Sequence, residues 1–128
     1  MSNTQGHAIS WTEIPATDIE RAIKFYQQVL NLDIGLQEFG GTKMGIIPGA
    51  VNDQNTIRGA IVENESYEPC TKGTLVYLAG GDDLSVPLAR VVEAGGAVLQ
   101  EKAAKGRHGF YAIIKDTEGN RVALHSVK

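Results

Sequence analysis

Apolar and polar residues alternate from Ala8 to Pro15, which puts Trp11 and Glu13 on one face of a strand and Ile14 on the other. Pro15 ends that strand. The period then lengthens: Ile19, Ala22, Ile23, Tyr26, Val29 and Leu30 recur at helical spacing, so Asp18 to Leu30 is an amphipathic helix with Thr17 or Asp18 as its N-cap. Phe25 and Tyr26 should pack that helix onto a sheet. Strand patterns follow at Ile34 to Glu38, Lys43 to Ile47 and Ile57 to Glu63, separated by a Gly40-Gly41 turn and a loop rich in Pro, Gly, Asn and Asp from Pro48 to Asn55.

The pattern then recurs. After the polar connection Asn64 to Lys72, Thr74 to Ala79 reads as a strand, Asp82 or Asp83 can cap a helix from Leu84 to Glu93, and Gly95-Gly96 stops it. Strands follow at Ala97 to Glu101, Gly109 to Lys115 and Arg121 to Val127, the last two joined by the turn Asp116-Thr117-Glu118-Gly119-Asn120. Asp18-Ile19 and Asp83-Leu84 open the two helices, and the repeat lies in element order more than in residue identity. Each half alone is too small to bury its sheet, so the two should share one core, with a ligand cleft between the paired sheets.

Composition narrows the function classes. With 128 residues, 42% hydrophobic and 21% charged, the chain reads as an ordinary globular protein of one domain, residues 1–128. A net charge of -3 argues against nucleic acid as a partner. No segment has the apolar length of a membrane span, and the polar start Met1 to Gly6 lacks a signal-peptide core, so the cytoplasm is the expected compartment. Cys70 is the one cysteine, which excludes an internal disulfide and Cys-rich zinc sites. The glycine pairs fit no phosphate loop or dinucleotide motif, and no cofactor is expected.

The segment Ile14-Pro15-Ala16-Thr17-Asp18-Ile19-Glu20-Arg21-Ala22-Ile23-Lys24-Phe25-Tyr26 resembles the vicinal oxygen chelate superfamily, which includes glyoxalase I, bleomycin-resistance proteins and extradiol dioxygenases. Gly73 to Leu78 is similar to its fifth strand, and Asp116 to Ser126 to its last turn and strand. The resemblance implies an α+β fold of two βαβββ modules, residues 7–63 and 72–127, pairing into a curled eight-stranded cleft, usually in a homodimer. In metal-dependent members it implies His or Glu ligands on four inward strands, holding a divalent ion for vicinal substrate oxygens. At the matching positions this sequence has Trp11, Thr74 and Ala123, and in the strand Ile57 to Glu63 only Glu63 is a donor. One carboxylate without partners cannot hold a catalytic ion, so no metal ligand is assigned.

Two polar residues share those strand faces. Glu13 lies two positions after Trp11 and His125 two after Ala123, so a carboxylate and an imidazole would face the cleft and could orient a ligand or exchange a proton. The ligand-binding set is therefore Trp11, Glu13, Thr74, Ala123 and His125, with Glu13 and His125 the catalytic candidates and Trp11 either a stacking wall or a volume filler. The loop Lys102 to Gly109 carries cations that could close over an acidic ligand, although solvated charge is the simpler reading. Arg58 and Lys43 are possible pocket charges, and His7 is expected to be exposed. The leading reading is a metal-free protein binding a small organic molecule. The competing readings are a lyase, isomerase or dioxygenase of the same fold, using ligands rearranged from Glu13, Glu63, His108 and His125 or a metal-free acid/base pair, and a module whose cleft is closed by side chains.

Overall fold

Ile14 and Ile61, side by side on adjacent strands, face one helix, and that helix sets the arrangement of the chain. The structure is a computed structural model that describes residues 8–49 and 56–128; His7 and most of the loop after Pro48 lie outside the described residues. The elements run β1 (Trp11–Pro15), α1 (Ile19–Leu30), β2 (Gly35–Phe39), β3 (Thr42–Ile47), β4 (Arg58–Glu63), β5 (Tyr77–Ala79), α2 (Ser85–Leu88), β6 (Ala97–Ala104), a 3₁₀ turn (Gly106–His108), β7 (Phe110–Lys115) and β8 (Arg121–Ser126). They build two four-stranded sheets of matching order, β1-β4-β3-β2 and β5-β8-β7-β6. In each, the first strand runs parallel to the last and the other pairs are antiparallel. The fold is α+β.

Helix α1 forms where the periodicity places it. Asp18 is the N-cap, with extended backbone and a side chain that accepts from the Arg21 amide at 3.2 Å, and Asn31 ends the helix in the left-handed region at φ 54°. Its buried face of Ile19, Ala22, Ile23, Phe25, Tyr26 and Val29 contributes to a core that also takes Ile14 and Ile61 from the first sheet and Ala112, Ile114, Val122 and Leu124 from the second. One helix thus covers parts of both sheets. Phe25 and Tyr26 meet edge to face, with centroids 5.0 Å apart, and an apolar side chain fully buried this way contributes about 1.5–3 kcal/mol.

The second half departs from its expected outline at three points. Helix α2 has four residues rather than ten: after Ala89 bonds to Ser85, Arg90 and Val91 bond to carbonyls three residues back, and Pro87 supplies no amide donor. Its N-cap is Leu84, whereas Asp83 accepts from the Ser85 amide at 2.9 Å and pairs with Lys102 at 2.9 Å. Strand β6 extends to Ala104, with register shifts against β7 that mark a bulge. Strand β5 begins at Tyr77, three residues later than the alternation suggests.

Candidate functional site

The face of each sheet turned away from α1 is read from register. In the first sheet, Ile14 and Ile61 enter the core, so Trp11 and Glu13 stand on the opposite face beside their partners Arg58 and Ala60. In the second, Val122 and Leu124 enter the core, so Ala123 and His125 stand opposite, in register with Tyr77 and Ala79 on one side and with Ile113 and Tyr111 on the other.

Glu13 is held by its neighbours: Trp11 donates its indole N–H to Oε2 at 3.2 Å, and the Tyr67 hydroxyl donates to Oε1. The Glu13 hydrogen bond and charge raise the Tyr67 phenol above its usual pKa. Trp11 is 42% exposed, rather than buried as a volume filler would be. Glu13 lines a cavity of about 340 Å³ with Thr12, Cys70, Lys72, Thr74 and Arg121. There the buried Arg121 Nε has no hydrogen-bond partner among the described residues, while Nη2 donates to the Gly73 carbonyl at 3.0 Å.

His125 belongs to a different cavity, of about 480 Å³, lined by Tyr77, Leu78, Ala79, Lys105, His108 and His125. Its Nε2 lies 2.5 Å from the His108 carbonyl oxygen. A carbonyl only accepts, so Nε2 carries the proton and a neutral His125 presents Nδ1 as an acceptor. Lys105 donates to the Tyr77 hydroxyl at 3.2 Å, and its ammonium sits 4.9 Å from the Tyr77 ring centroid and 5.2 Å from that of Tyr111. Lys105 is therefore packed over two aromatic faces, while Arg107 of the same loop is exposed, in keeping with solvated charge.

Several expected site residues thus fall in different places. Glu13 and Thr74 line one cavity and His125 another, so the carboxylate and imidazole are not brought to one cavity. Thr74 precedes β5, and Tyr77 is the residue in register with Ala123. Ala123 has no exposed surface and serves as packing beside Tyr77. Arg58 is exposed next to Trp11, and Lys43 pairs in register with Glu63. Tyr77 and Tyr111 were not among the sequence candidates, and Lys105 entered only as one cation of the loop Lys102 to Gly109. One signal for Tyr77 was available: it stands eight positions before the start of α2, as Trp11 stands eight before the start of α1.

A divalent ion of the kind the resemblance implies needs several convergent donors. Glu63 is turned to the helix side, where Oε1 accepts from the Ile19 amide at 2.7 Å, and Glu13 and His125 occupy separate cavities. Among the described residues, no group of three His, Cys, Asp or Glu side chains is placed to hold a metal. The described side chains do not fit such an ion.

Comparison with known proteins is consistent with this architecture. The model of the glyoxalase/bleomycin resistance protein/dioxygenase superfamily matches residues 8–124. A glyoxylase-like domain-containing protein of Didymella fabae is 32% identical over 121 residues, covering 91% of each chain. Among solved structures, an E144Q mutant of glyoxalase I from Zea mays aligns with a TM-score of 0.69 at 20% identity, over 92% of this chain and 46% of the maize chain. A glyoxalase/bleomycin resistance protein from Albidiferax ferrireducens aligns at 0.66 and 19% identity, over 94% and 98%. The fosfomycin resistance protein FosX of Listeria monocytogenes aligns at 0.66 and 15%, over 94% and 90%. At these identities the structural matches speak to the fold.

Proposed function

Because this chain belongs to the glyoxalase/bleomycin resistance protein/dioxygenase superfamily, we propose that it is a metal-free member that binds a small organic molecule on its cleft face and works as a homodimer. The two modules, 7–63 and 72–127, are read as one domain because α1 packs against residues of both sheets. One observation carries the metal-free reading: the cleft-face positions next to the paired first and last strands hold Trp11, Ala60, Tyr77 and Ala123 in place of imidazoles and carboxylates. The nearest carboxylate, Glu13, already accepts from Trp11 and Tyr67. Polar and aromatic groups remain around two cavities of a size that suits a small ligand.

The second reading is an enzyme of the same fold that needs no metal. The Nδ1 of His125, without a partner among the described residues, favours it, since an imidazole with one nitrogen fixed on a carbonyl can accept a proton at the other. Metal analysis of protein purified without chelators tests the first reading: substoichiometric metal supports it, and stoichiometric nickel, zinc, iron or manganese overturns it. Turnover that persists in chelator and disappears in His125→Gln would establish the second.

A further inference from the structure

The cation at the second cavity differs from its neighbour on the same strand and loop. Lys102 is neutralised by Asp83 at 2.9 Å, with its ammonium 4.8 Å from the Phe110 ring. Lys105 has no carboxylate partner among the described residues: its contacts are the Tyr77 hydroxyl and the faces of Tyr77 and Tyr111. Aromatic faces and a phenol oxygen stabilise an ammonium without cancelling its charge, so its remaining donors can still serve an anion. Beside it on the same face of β5 are Ala79 and Tyr77, a residue that is 41% exposed, while Leu78 between them packs against the core. His125 completes the wall, with Nε2–H fixed on the His108 carbonyl and Nδ1 without a hydrogen-bond partner among the described residues.

From this arrangement we infer that the cavity of Tyr77, Lys105 and His125 is an anion site for a small aromatic carboxylate, whose ring lies on Tyr77 and Ala79 and whose carboxylate meets the Lys105 ammonium. The inference rests on the proposed cleft binding and adds the class of ligand and its position. Lys105 is suited to this role because it is partly buried and already oriented by two rings, so little side-chain freedom is lost when the anion arrives. The cavity of Glu13 suits such a ligand less well, since Glu13 and Glu68 line it beside Lys72 and Arg121 and offset their charge.

The test uses benzoate, phenylacetate and indole-3-carboxylate, each beside its neutral carboxamide, with acetate as an anion without a ring. Binding is followed through backbone amide shifts of the isotope-labelled full chain. The expected result is saturable shifts at Tyr77, Leu78, Lys105 and His125 for at least one carboxylate, with binding about five- to tenfold weaker for its amide and in Lys105→Met, and retained in Lys105→Arg. Unchanged shift dispersion in both variants shows that they fold. Equal binding of carboxylate and amide, or unaltered binding in Lys105→Met, overturns the anion site while leaving cleft binding in place. Acetate binding as tightly as the aromatic acids overturns the role of the ring. Shifts confined to Glu13, Thr74 and Arg121 support the cleft but overturn this location, and no saturable shift with any probe overturns both readings.

Discussion

Glu118, in the turn between β7 and β8, forms an ion pair of 2.7 Å with Arg21, in the first turn of α1, across 97 positions of sequence. The same carboxylate accepts from the amides of Thr17 and Asp18 at 2.9 and 2.8 Å, so it also satisfies donors at the start of the helix. The final turn is thereby fastened to the first helix. Burial pushes the Glu118 carboxyl up, but the Arg21 guanidinium and the hydrogen bonds from Asp18, Thr117 and Thr17 outweigh it and bring its pKa down to about 2.

That lowered pKa predicts acid sensitivity of a definite sign. The unfolded carboxyl titrates near 4.5, so the stabilisation is fully present above that pH and is lost as pH falls toward 2. Screening around the half-exposed Arg21 limits it to about 1–2 kcal/mol. In urea unfolding at a series of pH values, Glu118→Gln should lower stability at neutral pH and flatten the loss between pH 4.5 and 2. An unchanged acid slope would contradict this account.

Tyr26 and Asp116 make a second, buried link, with the hydroxyl donating to Oδ2 at 2.5 Å. Asp116 also accepts from the amides of Glu118 and Asn120 and from the Asn120 side chain, which in turn donates to the Pro15 carbonyl at 2.7 Å. Tyr26→Phe is expected to cost about 1.5–3 kcal/mol in chemical denaturation, because a hydrogen bond to a charged acceptor is lost in the interior. Burial, reinforced by the Asp116 charge, raises the phenol well above its usual value. Its stabilising share is therefore complete below the unfolded phenol's titration near 10 and falls away as pH rises above it.

Gly96 marks a close approach between the halves. A Cβ built there would lie 2.5 Å from the Lys115 carbonyl oxygen and 2.7 Å from the Phe25 ring, against backbone and a packed core side chain that cannot both retreat. Gly96→Ala should destabilise by about 1–3 kcal/mol, seen as a lower denaturation midpoint with an unchanged m-value.

Around Glu13 the expected outcome concerns titration more than stability. Since the carboxylate raises the Tyr67 phenol, Glu13→Gln should return one tyrosine toward its ordinary value near 10. Ultraviolet difference spectra across alkaline pH measure this directly. A tyrosine profile identical to that of the parent protein would rule out the Glu13–Tyr67 hydrogen bond as its cause.

Sequence alone determined the local elements whose periodicity is strong and self-contained. The helix from Asp18 to Leu30 has an Asp cap and six apolar residues on one stripe, and the alternation around Trp11, Glu13 and Ile14 fixes which side of β1 is buried. It also carried the repeat of element order and, with it, the family. Tertiary structure decided what depends on register and on distant partners. Strand β5 is too short for alternation to locate, so Tyr77 rather than Thr74 stands beside Ala123. The cavity of Tyr77, Lys105, His108 and His125 draws on two strands, a loop and a 3₁₀ turn, and no period in the chain encodes it. Glu118 reads as a turn residue until the fold brings Arg21 and the start of α1 to it. A periodic pattern reports which face of one element is buried, whereas a site depends on how several elements meet, and that is set by packing between residues far apart in sequence.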